Sequence, residues 1–138
     1  MRSKRMTAAG AAAVTAASVL TLGAPPANAA GPCGAGYSRI DVYNIGDSFK
    51  VGSIELYYNS SNGKNCALTY GTDPGVAGWK QIIMYATDGS TVSVHDDGAY
   101  KYYAGPVYLE AKGKCLNLTG GIFSSRSYYR NVKKVHCG

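Results

Sequence analysis

Two histidines, eight acidic side chains and a single tryptophan leave this chain short of the groups on which most catalysis depends. There is no Cys-x-x-Cys pair, which argues against a zinc or redox centre. No Gly-x-Ser-x-Gly elbow supports a Ser-His-Asp triad. No glycine-rich phosphate loop opens a helix, because no window beyond residue 29 carries a helical apolar stripe. One short cluster gathers possible metal ligands, His95-Asp96-Asp97-Gly98. Asp-Gly is ordinary turn chemistry, and neighbouring turn residues point apart, so this cluster is read as a turn. Small secreted ribonucleases place Glu, Arg and His on a sheet. Glu55, Glu110, Arg39, Arg126, Arg130, His95 and His136 supply those types, but no spacing selects them. The chain is therefore expected to be non-enzymatic, with no cofactor and no metal.

What is present begins with an export signal. Arg2, Lys4 and Arg5 form a positive start, an alanine-rich apolar run spans Met6 to Leu22, and Ala27-Asn28-Ala29 fits the small-x-small cleavage rule. No stop-transfer pattern follows, so no membrane segment is expected after cleavage. Residues 30–138 then form one domain, large enough for one modest core. Loss of the three basic residues lowers the formal balance from +6 to +3, eleven basic residues against eight acidic. Arg126, Arg130, Lys133 and Lys134 cluster near the C-terminus. With so small a surplus they read as a solvated edge, and no nucleic-acid partner is expected.

Cys33, Cys66, Cys115 and Cys137 all lie in this domain. An even count in a short exported chain reads as two disulfides, with three connectivities open. Sequential pairing is favoured; it closes loops of about thirty and about twenty residues, each stabilising by on the order of 3 kcal/mol.

The dominant pattern has period two. Ile54, Leu56 and Tyr58 alternate with Glu55, Tyr57 and Asn59, a half-buried strand. Asn62-Gly63 then signals a hairpin of type I′, and residues 65–70 return as its second strand. Residues 71–78 hold Pro74, Gly75 and Gly78 and read as a loop. Trp79 to Ala86 is a third clear strand, with Ile82 and Met84 on one face and Ile83 and Tyr85 on the other. Shorter strands are expected at 91–94, 100–103, 106–111, 115–118 and 132–137, with Gly105-Pro106 interrupting a longer run. Such closely spaced turns point to an all-β antiparallel sandwich or barrel, held by two disulfides and preceded by a cleaved helical signal.

Tyrosine is the most informative residue type, with twelve in the exported domain. It offers rigid, amphipathic contact area suited to sugars or protein surfaces, and it also has high β propensity. Period two puts Tyr100 and Tyr102 on one face and Lys101 and Tyr103 on the other. Val107, Leu109 and Ala111 form an apolar face, with Tyr108 and Glu110 outside. Tyr57, Tyr103, Tyr108 and Trp79 emerge as the exposed set able to contact a ligand.

The order of motifs is itself distinctive. Cys33-Gly34-Ala35-Gly36-Tyr37 comes first, then Tyr57 to Cys66, Trp79, the run Tyr103-Ala104-Gly105-Pro106-Val107-Tyr108, and a closing His136-Cys137-Gly138. This order resembles the spore-associated protein A family of filamentous actinobacteria. The chain departs from that pattern after Cys115, where Leu116-Asn117-Leu118-Thr119 stands in place of a segment with an aspartate and a tryptophan. The resemblance implies a secreted protein associated with spores or the hyphal surface, and it brings no catalytic residues. The expected partner is a cell-wall or spore-surface polysaccharide or protein, met by the exposed aromatics. An inhibitor or toxin-like effector using the 71–78 loop is the alternative. A small secreted hydrolase or ribonuclease is less favoured.

Overall fold

Apolar side chains alternating with polar ones extend the backbone through much of the described chain. The structure, a computed structural model, describes residues 30–89 and 92–138; the expected export signal at 1–29 lies outside them. The strands are β1 (Ser38–Ile45), β2 (Gly52–Asn59), β3 (Lys64–Gly71), β4 (Gly78–Ala86), β5 (Ser93–Tyr100), β6 (Tyr103–Glu110), β7 (Leu116–Phe123) and β8 (Ser127–Val135). They build two antiparallel sheets, ordered β1-β2-β3-β6 and β5-β4-β7-β8. The fold is an all-β sandwich.

Inward residues of both sheets interdigitate in one core. Ile54 and Leu56 of β2, Ile82 and Met84 of β4, and Leu116 and Leu118 of β7 are essentially fully buried there. Each such side chain contributes roughly 1.5–3 kcal/mol relative to exposure. Gly120 faces inward against the other sheet: a Cβ there would lie 2.4 Å from Ile54 Cγ1. Beside it, the buried Thr69 hydroxyl has no hydrogen-bond partner among the described residues.

The outer strands meet at two seams without a ladder between them. At the β5–β6 seam, Asp96 accepts from the Gly105 N–H at 2.6 Å and from the Tyr100 hydroxyl at 2.7 Å. At the β1–β8 seam, Asp41 accepts from the Tyr43 hydroxyl at 2.7 Å and pairs with His136 Nε2 at 3.3 Å. Disulfides add two ties. Cys33–Cys66 fastens the N-terminal segment to β3, and Cys115–Cys137 fastens the chain end to the start of β7.

Several local expectations are corrected. His95-Asp96-Asp97-Gly98 is not a turn but the middle of β5, with His95 and Asp97 exposed and Asp96 turned to the seam. Lys101 and Tyr102 form the turn between β5 and β6, so Tyr100 and Tyr102 do not share a strand face. Gly105-Pro106 does not end a strand. Both residues bulge opposite Leu68 within a continuous β6, and an edge strand spares proline's missing N–H. The β2–β3 hairpin exists, but residues 60–63 form a longer loop. Only Gly63 there has positive φ, and Asn59 Oδ1 accepts from the Ser61 N–H at 3.0 Å. β1 was not anticipated, and β7 and β8 are longer than expected.

Candidate functional site

The first sheet's outer face gathers five of the twelve tyrosines, Tyr37, Tyr57, Tyr70, Tyr103 and Tyr108. Cross-strand pairing sets Arg39 opposite Tyr57, Tyr57 opposite Cys66, and Cys66 opposite Tyr108. Glu55 lies opposite Leu68, and Tyr70 opposite Tyr103. The N-terminal segment, tied down by Cys33–Cys66, closes over one end of this face. Cys33, Tyr57, Cys66 and Leu68 become a second small core, with Tyr37, Tyr70 and Tyr103 packed against it.

Hydrogen bonds fix the polar ends of these rings. Tyr57 donates to Glu55 Oε2 at 2.5 Å, and Arg39 holds Oε1 at 3.2 Å. Tyr108 donates to the Cys33 carbonyl at 3.0 Å, while its ring meets Tyr37 edge-on at 5.6 Å. The Tyr70 and Tyr103 rings pack at 5.3 Å. Burial pushes the Tyr57 and Tyr108 phenols above their usual range, and burial beside the Glu55 carboxylate pushes Tyr70 up to about 12. The expectation that Tyr57 is exposed is corrected: it is only 8% exposed, because Glu55 and the tethered segment enclose it. Tyr103 is half-buried, and Tyr108 is exposed but anchored.

Trp79 lies elsewhere, on the outer face of the second sheet. There β4 presents Trp79, Ile83 and Tyr85 on alternate residues. Trp79 pairs across the ladder with Phe123 of β7, whose ring meets Tyr129 of β8 edge-on at 5.1 Å. Gly121 makes room for the last two rings; a Cβ there would lie 2.9 Å from Phe123. Trp79 is 48% exposed and Tyr129 51%. Among the described residues no group hydrogen-bonds the Tyr129 hydroxyl. Thr119 donates to Asn131 at 2.8 Å on the same face, adding polar groups beside the stripe.

The structure thus divides the expected ligand set. Tyr57, Tyr103 and Tyr108 share the covered face, whereas Trp79 joins Phe123 and Tyr129, which sequence reasoning missed. A one-strand periodicity argument cannot align residues from β4, β7 and β8. The ribonuclease-type residues are divided too. Glu55 and Arg39 meet on the first sheet, but His95 lies on β5 and His136 at the β1–β8 seam. Tyr43 holds the Asp41 carboxyl below the usual carboxylate range.

A small antiparallel sandwich, stapled by two disulfides and carrying one open aromatic face, is the class these features define. No protein-family model matches the chain, and no solved structure matches it. Over 108 residues, 78% of this chain, it is 37% identical to Spore-associated protein A of Streptomyces coelicolor, and the match covers 66% of that protein's length. The chain belongs to the spore-associated protein A family.

Proposed function

We propose that this is an exported, non-enzymatic protein that associates with the spore or hyphal surface by laying the outer face of its second sheet on a cell-wall polysaccharide. The observation that carries the reading is the stripe formed by Trp79, Phe123 and Tyr129 across three neighbouring strands. Such rings offer flat apolar faces to the C–H side of sugar rings. Thr119 and Asn131 lie beside the stripe with groups able to meet sugar hydroxyls. Two features support the extracellular setting: the disulfides, which persist in oxidising compartments, and the name of the relative, which is described as spore-associated.

The test is retention on purified cell wall, chitin and spore coats. The wild-type protein is expected to stay bound. Trp79→Ala combined with Tyr129→Ala is expected to reduce retention at least about tenfold, the loss of one to two stacking contacts. Full retention of that variant would remove the second face from consideration.

A further inference from the structure

Lys80 occupies the inward row of β4 that also carries Ile82 and Met84, and it is only 4% exposed. A buried ammonium needs acceptors to replace water. Lys80 Nζ donates to the Tyr100 carbonyl at 2.6 Å and to the Gly78 carbonyl at 3.2 Å. Gly71 leaves room for the stem, since a Cβ there would lie 2.9 Å from Lys80 Cε. No carboxylate among the described residues is in ion-pair contact with Lys80. Burial holds the ammonium below the usual lysine range, while the Asp73 carboxylate acts the other way. Because an ammonium carries three N–H donors, one is left over after the two carbonyls.

Lys80 forms part of the wall of a cavity of about 140 Å³ at the end of the sandwich. Thr72 and Asp73 from the 71–78 loop, Trp79, Phe123 and Ser124 also line it. The loop is pinned by the Gly75 N–H donating to the Lys101 carbonyl at 3.1 Å. The cavity therefore combines a buried donor, an acceptor carboxylate, two hydroxyls and an aromatic wall.

We infer that this cavity takes one neutral pyranose ring, packed on Trp79 and hydrogen-bonded between the Lys80 ammonium and the Asp73 carboxylate. Three observations select that ligand. The volume is well below the roughly 300–1,000 Å³ of pockets for larger ligands, so one ring fits rather than an oligosaccharide. Among the described residues, Lys80 and Asp73 are the only charged ones in its wall, and their charges cancel. An acidic sugar would set a second negative charge against Asp73, whereas neutral hydroxyls donate to one group and accept from the other. Trp79 and Phe123 belong to both the cavity and the open stripe, so a polysaccharide on the stripe can place its terminal residue inside. The inference rests on the polysaccharide reading and adds a subsite to it.

Trp79 is the only tryptophan, so its fluorescence reports the cavity without labelling. The exported domain is titrated with glucose, galactose and N-acetylglucosamine, and with glucuronate as the acidic control. At least one neutral sugar is expected to give a saturable change in emission, with glucuronate weaker. Asp73→Ala, on an exposed loop, is expected to weaken that response about tenfold. An unchanged response in Asp73→Ala, or glucuronate binding as tightly as the neutral sugar, overturns the assignment. Retention on wall polysaccharide with no response to any neutral sugar also overturns the cavity while leaving the stripe in place. Neither retention nor response would end both.

Discussion

The two outer faces of this sandwich use the same residue type to opposite ends. On the first sheet, Tyr57 and Tyr108 are committed inward, to Glu55 and to the Cys33 carbonyl, under a segment held by a disulfide. On the second, Tyr129 stands half-exposed beside Phe123 and Trp79, with no segment over it among the described residues. What separates a structural tyrosine from one open to a ligand is where its hydroxyl goes and what lies over its ring. Strand position alone says neither.

The largest effect should come from freeing the covered face. Replacing Cys33 and Cys66 together by alanine is expected to lower stability by about 3 kcal/mol in urea unfolding without reductant. Wall retention of the folded fraction should be unchanged. Tyr57→Phe removes one hydrogen bond to a carboxylate and should lower stability by about 2 kcal/mol. A neutral result for either would mean that the first face is no more structural than the second. Thr69→Val, which replaces an unpartnered buried hydroxyl with a methyl, should raise stability by about 1 kcal/mol in the same assay.

Alkaline titration sharpens the contrast further. An unfolded chain ionises tyrosine near its ordinary value of 10.0, whereas folding raises Tyr70 to about 12. The raised value means that the native state holds the proton more tightly. The associated stability is complete below pH 10 and is lost as pH rises from 10 towards 12. Unfolding midpoints at pH 9 and pH 11, read beside tyrosinate absorbance, should show this fall. The smallest stability effect is expected at Trp79→Ala, within about 0.5 kcal/mol, as for an exposed side chain away from the core.

Much of the fold was legible because several strands carry strong patterns. Ile82 and Met84 against Ile83 and Tyr85 in β4, and Val107 and Leu109 against Tyr108 in β6, follow period two closely. The edge strands β1 and β5 did not show it. β1 exposes Ile40 and Val42, and β5 is built from His95, Asp96, Asp97 and Gly98, residues that favour turns; neighbouring strands hold both extended. The site was legible only in part. Trp79 was named from its exposure potential, but its partners Phe123 and Tyr129 come from β7 and β8 through pairing register. Lys80 escaped notice because a lysine in a strand reads as solvent-facing. Its burial depends on the Tyr100 carbonyl, twenty residues away.

The most direct test sets two paired variants side by side on purified cell wall. Trp79→Ala with Tyr129→Ala strips the open face, and Tyr103→Ala with Tyr108→Ala strips the covered one. The expected result is retention lost in the first pair and kept by the folded fraction of the second. Equal retention in both, or loss confined to the Tyr103 and Tyr108 pair, would contradict the assignment of binding to the second sheet.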